Sequence, residues 1–150
     1  MAVAGASALV LAACGGSSDS GDSSASSSPG GSTVTDQFRL EGISVSVGSK
    51  DFDEQLILGQ MMVQAFGAAG ATVDDKVNLG GTSVARSALE SGDIDVYMEY
   101  NGTGWTVHLG QEDPSFDSVE LTNGVAELDQ ERNNIVWIGR SPFNNTYGFA

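Results

Sequence analysis

The stretch Gly92-Asp93-Ile94-Asp95-Val96-Tyr97-Met98-Glu99-Tyr100-Asn101-Gly102-Thr103-Gly104-Trp105 decides how this chain is read. Ile94, Val96 and Met98 alternate with Asp95, Tyr97 and Glu99, the two-residue period of a strand with unlike faces. Asn101, Gly102 and Gly104 tolerate positive φ, which predicts a sharp glycine-rich turn after the strand. Such a turn would present Tyr100, Thr103 and Trp105 together. In open α/β sheets ligands bind at the carboxyl ends of strands. A phenol ring, a hydroxyl and an indole there suit a small ligand with an apolar or cationic head.

Upstream, Ile43, Val45 and Val47 alternate with Ser44 and Ser46 and predict a first strand ending at Gly48-Ser49-Lys50. Asp51 and Glu54 have the spacing of an N-terminal capping box. The helix that follows carries Leu58, Met61, Met62, Ala65, Phe66 and Ala69 on one face, expected to point inward, and Gly67 and Gly70 end it. Lys76 to Leu79 reads as a second strand. Gly80-Gly81-Thr82-Ser83 opens a second helix with Val84, Ala85, Ala88 and Leu89 inward, closed by Ser91-Gly92. The free N–H groups at its start could hold a carboxylate, or the glycines only permit a tight turn.

Downstream, a polar loop over 110–117 leads to a helix from Val119 to Arg132, with Val125 and Leu128 inward. Ile135 to Ile138 is expected to form a last strand. The alternation of strands and helices predicts an α/β fold with a mainly parallel sheet.

The chain has 150 residues and a net charge of −14. The acidity argues against a nucleic-acid partner, which needs basic patches. Cys14 is the one cysteine and His108 the one histidine, so no internal disulfide forms and a Cys/His zinc site lacks ligands. No metal and no cofactor is expected. His108, Tyr97, Trp105 and Trp137 read as structural.

Residues 2–13 are small or apolar, too short to span a bilayer as a helix, and fit the apolar region of a secretory signal. Leu11-Ala12-Ala13-Cys14 followed by Gly15 resembles the lipobox of bacterial lipoproteins, in which the cysteine is lipidated and the leader is cut before it. No Lys or Arg precedes the apolar run, so the true leader is expected to begin upstream. The expected organisation is a signal peptide over 1–13, a lipidated Cys14 with a Ser/Gly-rich flexible tether over 14–40, and a folded domain over 41–150.

Three segments together carry a family resemblance. They are Val47-Gly48-Ser49-Lys50-Asp51-Phe52-Asp53-Glu54-Gln55-Leu56-Ile57-Leu58-Gly59; then Asn78-Leu79-Gly80-Gly81-Thr82 with the 92–104 stretch; then Pro142-Phe143-Asn144-Asn145-Thr146-Tyr147. The chain resembles the substrate-binding proteins of glycine betaine/choline-type ABC transporters, the quaternary-amine or osmoprotectant family. The resemblance implies a type II periplasmic-binding-protein fold, of which this chain carries mainly the first lobe, up to the hinge crossover, as a fragment or truncated form. It implies an extracytoplasmic receptor, lipid-anchored to the cell membrane, in the periplasm or on the outer face of the cytoplasmic membrane. It also implies delivery of a quaternary ammonium osmoprotectant to a membrane permease with its cytoplasmic ATPase.

The resemblance also places Lys50, Tyr100, Thr103 and Tyr147 at the ligand. A quaternary ammonium has no N–H, so ring faces rather than hydrogen-bonded carboxylates should grip it, at about 0.5–2 kcal/mol per ring. Tyr100 and Tyr147 then serve as cage walls, and Lys50 and Thr103 as donors to the ligand's anionic end. Ser49, Thr82 and Asn101 are further candidates by position. One alternative keeps the fold and changes the ligand to another small solute such as an amino acid. An exported hydrolase and a surface interaction protein without a small ligand are further readings, but no Gly-x-Ser-x-Gly elbow is present and no enzyme is expected.

Overall fold

The computed structural model describes residues 37–145, so the leader, Cys14 and Tyr147 lie outside the described residues. The elements are β1 (Ser44–Lys50), α1 (Asp53–Ala68), β2 (Thr72–Gly80), α2 (Thr82–Ser91), α3 (Asn101–Thr103), which runs on into a π-helical turn over Gly104–His108, and α4 (Ser118–Asn133).

β1 and β2 form a two-stranded sheet, and β1 carries a further bridge on its other edge. On one side it pairs in parallel with β2, from Ser44 opposite Thr72 to Gly48 opposite Lys76, and after an irregularity Lys50 stands opposite Gly80. The irregularity falls where Asn78 takes a positive φ of 75° and its N–H bonds Ser49 Oγ at 2.9 Å. On the other side Val47 bridges Val96, again in parallel. The Gly48 N–H donates to the Val96 carbonyl and the Asp95 N–H to the Ser46 carbonyl, each at 2.9 Å. The 94–98 stretch therefore takes a strand's place but makes one bridge only. Three parallel segments thus bring Lys50, Gly80 and Glu99 to the same carboxyl edge.

α1 lies against the sheet through Gln55 and Gly59, with Met62 and Phe66 half-buried behind them. A Cβ at Gly59 would sit 2.8 Å from Val77 Cγ2 and 3.1 Å from Ser49 Cβ, so only glycine permits this approach. The glycine face turns inward as a result. Of the expected face, Leu58, Met62 and Phe66 are half-buried and Ala69 is buried, whereas Met61, 59 % exposed, and Ala65 turn outward. The Asp51/Glu54 capping box does not form either. Phe52 holds the N-cap position without a side-chain cap bond, because Glu54 is drawn away to Tyr100 and Asn145.

α2 ends as its sequence predicts, with Gly92 at φ 78° in the left-handed cap position. Asp117 caps α4 by accepting from the Val119 and Glu120 N–H groups at 2.8 and 2.9 Å. Val47, Ala85, Ile94 and Val125 form the centre of a small core. Arg86 of α2 and Asp129 of α4, both buried, tie the two helices with a two-pronged ion pair at 2.8 and 2.6 Å.

Two expectations fail downstream. The glycine-rich turn is instead helical: Asn101, Gly102 and Gly104 all avoid positive φ. Gly104 is needed for room, since a Cβ there would meet Trp137 Cζ2 at 2.7 Å and Val125 Cγ1 at 2.9 Å. The Ile135–Ile138 stretch pairs with no strand among the described residues. It follows α4 instead, with the Ile135 N–H on the Asp129 carbonyl and Trp137 Nε1 donating to Asp129 Oδ2 at 2.8 Å.

Candidate functional site

The carboxyl edge of the sheet gathers a buried polar cluster around Glu99. Its Oε1 accepts from Lys50 Nζ at 2.5 Å and from the Tyr100 N–H at 2.7 Å. Its Oε2 accepts from the Tyr97 hydroxyl at 2.9 Å and pairs with His108 Nε2 at 2.8 Å. The Lys50, Glu99 and His108 side chains are 2, 6 and 4 % exposed, so this is an interior network rather than a solvated ion pair. Parallel pairing delivers Lys50 and Glu99 from adjacent strand ends. The π-helical turn delivers His108, where the Leu109 N–H reaches back five residues to the Gly104 carbonyl.

The electrostatics follow from this packing. Burial opposes charge on Glu99, but the bonds from His108, Lys50 and the Tyr100 N–H outweigh it and hold the carboxyl below its ordinary range. Burial, reinforced by the Glu99 charge, pushes the Tyr97 phenol up. Tyr97, Lys50 and His108 thus act as donors to one ionised acceptor.

Tyr100 stands beside this cluster. Lys50 Nζ lies 5.1 Å from its ring centroid, within cation–π range. The Phe52 ring stacks on it at 6.1 Å with the planes 21° apart. Its hydroxyl donates to Glu54 Oε1 at 2.9 Å, and Asn145 Nδ2 donates to Glu54 Oε2 at 2.8 Å. Burial raises the Tyr100 phenol, with the nearby Gln55 amide acting in the opposite direction. The Gln55 side chain itself is buried, and neither its nitrogen nor its oxygen has a hydrogen-bond partner among the described residues.

Of the residues singled out from sequence, the structure brings Lys50 and Tyr100 together. Thr103 follows Tyr100 by one helical turn and is half-buried. Thr82 opens α2 at the same sheet edge. Ser49 is turned into the backbone, donating to the Lys50 carbonyl and accepting from the Asn78 N–H. Asn101 faces α4, donating to Thr122 Oγ1 at 2.6 Å. Phe52, Glu54, Glu99, His108 and Asn145 joined the cluster without having been expected there. Phe52 and Glu54 do lie in the 47–59 motif, two and four residues after Lys50, which is the signal that could have found them. Two surface concavities lie elsewhere: one of about 340 Å³ on the outer side of α1, lined by Leu56, Ile57, Gln60, Met61 and Gln64, and one of about 290 Å³ beside Trp105.

Comparison with known proteins defines the class. Residues 43–150 match the family described as the substrate binding domain of ABC-type glycine betaine transport systems. The chain belongs to this family, one of solute-binding domains and not of enzymes. It is 36 % identical over 107 residues to the glycine betaine-binding protein YehZ of Escherichia coli (strain K12), covering 71 % of this chain and 35 % of YehZ. It is 36 % identical over 104 residues to a glycine-betaine-binding protein of Pseudomonas aeruginosa, covering 69 % of this chain and 32 % of that protein. A third relative, the ergothioneine transport permease/ergothioneine binding protein EgtU of Helicobacter pylori, is 33 % identical over 105 residues, covering 69 % of this chain and 18 % of EgtU. The solved structure of apo YehZ superposes with a TM-score of 0.65 at 35 % identity, over 69 % of this chain and 37 % of that one. The α/β fold is therefore that of a periplasmic binding protein, and the chain spans about a third of the length of its glycine betaine-binding relatives.

Proposed function

We propose that the protein is the extracytoplasmic substrate-binding component of an ABC importer for glycine betaine, choline or a related quaternary ammonium solute. It captures the solute outside the cell and hands it to a membrane permease driven by a cytoplasmic ATPase. Cys14 is proposed as the lipidated residue that holds it to the membrane, with 14–40 as tether.

The observation that carries this reading is the family match over residues 43–150, which includes both ends of the Lys50–Tyr100 contact. Tyr100 and Phe52 bring two aromatic rings together at the site, the side-chain type that attracts a methylated cation. In this reading Tyr100 and Tyr147 are cage walls, and Thr103 and Lys50 donors toward the acid end. Lys50 keeps N–H groups beyond the one on Glu99, since an ammonium has three. A small anion is favoured less, because the Lys50 charge already has a buried carboxylate beside it.

Calorimetric titration of the full-length protein with glycine betaine and choline tests the proposal. Micromolar or tighter binding of either supports it. Failure of both to bind at millimolar concentration overturns it. Ergothioneine, named in the Helicobacter pylori relative, is the third ligand to titrate.

A further inference from the structure

Lys50 poses an electrostatic conflict for a cation site. Its ammonium lies 5.1 Å from the Tyr100 ring centroid. Even a cation seated across the ring, about 10 Å from that ammonium, would at an effective dielectric of about 20 be repelled by an amount worth roughly tenfold in affinity, and more if closer. An unbalanced lysine at that ring would therefore weaken binding of the ligand the ring is suited to hold.

We propose that Glu99 is the specificity-determining residue of this site: its buried carboxylate cancels the charge of Lys50, so that the Tyr100 ring can accept a methylated cation beside a lysine. The inference rests on the functional reading above. The same oxygen that takes the Lys50 proton donor also takes the Tyr100 N–H, so charge balance and ring placement are set by one group. Tyr97 and His108 hold the second oxygen, which fixes the carboxylate in place from several sides. Glu99 is also held ionised by these donors. Glu54, on the Tyr100 hydroxyl, adds a further acidic side chain at the ring.

The test compares choline, a full cation without a carboxylate, with glycine betaine, a zwitterion. Affinities are measured by calorimetry at pH 8 on the full chain. Glu99→Gln keeps the shape and removes the charge. It should weaken choline about tenfold or more relative to betaine, whose own carboxylate meets the unbalanced lysine. Lys50→Met leaves Glu99 charged and should shift the choline-to-betaine ratio the other way. A merely structural role for Glu99 would weaken both ligands alike and leave the ratio where it was, which overturns the inference. Should Glu99→Gln fail to fold, Lys50→Met carries the test alone, and an unchanged ratio in that variant is equally fatal. Absence of any binding by the wild-type chain sinks the functional reading and this inference with it; wild-type binding with unmoved ratios sinks the inference only.

Discussion

Replacing Asp129 by Asn isolates the worth of the clamp between α2 and α4. Asp129 is fully buried and accepts four side-chain bonds: two from the Arg86 guanidinium, one from Asn133 and one from Trp137. The amide has nearly the same volume, so no cavity opens. It removes the charge that balances Arg86, which is 6 % exposed, and it turns an N–H₂ toward groups that are themselves donors. Breaking one partner of a buried pair costs about 3–5 kcal/mol. Arg86 keeps a bond to Glu90 at 2.6 Å, and Glu90 is half in solvent, so the lower end, about 3 kcal/mol, is expected. With a urea slope of about 1–1.5 kcal/mol/M for a fold of this size, the midpoint should fall by about 2–3 M. Trp137, bonded to Asp129, reports the transition by fluorescence. Arg86→Met together with Asp129→Leu removes both charges and should recover more than half of the loss. A midpoint shift under about 0.5 M, or a double variant no more stable than Asp129→Asn, would refute the reasoning.

The same carboxylate predicts the acid response. Burial opposes its charge, but Arg86 first, then Asn133 and Trp137, bring it from 3.8 to about 2 in the folded state. The native state thus binds fewer protons than the unfolded one. The stabilisation is present above about pH 4 and is lost as pH falls through 2, by about 2 kcal/mol. Urea midpoints at pH 5, 3 and 2 should trace this fall, and the fall should shrink in Asp129→Asn to the part carried by other depressed carboxylates such as Glu99. Gly104→Ala should cost about 1–3 kcal/mol, because Trp137 and Val125 already occupy the space of the new methyl; thermal unfolding measures it, and an unchanged midpoint counts against the packing described. Asn134 closes α4 at φ 57°. Asn134→Gly should stay within about 0.5 kcal/mol of wild type, whereas Asn134→Val should lose about 1 kcal/mol or more in the same melt.

The fold was legible where one residue type answers one local need. Val47 and Ile94 alternate with polar neighbours and are buried at 0 and 1 %, so a period of two located both inner strand segments. Gly92 ended α2 because the left-handed cap favours glycine. Periodicity found Leu58, Met62, Phe66 and Ala69 on the inner face of α1 but missed its centre for an equally local reason: it ranks side chains by apolarity, whereas helix and sheet came together at Gly59, which has no side chain to rank. Asp74 and Asp75 hid the first half of β2, since two adjacent exposed acidic residues, one on each face of the strand, break the alternation that marks one. The glycines at 102 and 104 were read as turn-makers. Gly104 is required for its missing Cβ beside Trp137, a contact 33 residues away in sequence that no local pattern announces.

The candidate site divides along the same line. Ring and lysine were legible through motif, but the group between them was not. Alternation put Glu99 and Tyr97 on one face of a strand, and there the local signal stopped. What makes Glu99 central is that three separate segments supply its donors, two of them through features without a sequence signature: the strand register that brings Lys50 to it over 49 residues, and the π-helical turn that carries His108. A buried carboxylate with a lysine on one oxygen and an imidazole on the other is costly to desolvate, and a sheet edge could be closed more simply by apolar side chains. On the function proposed above, its presence beside Tyr100 follows from the ligand: binding a betaine requires donors for the acid end with no net positive charge shown to the cationic end. A lysine neutralised from within the core meets both demands.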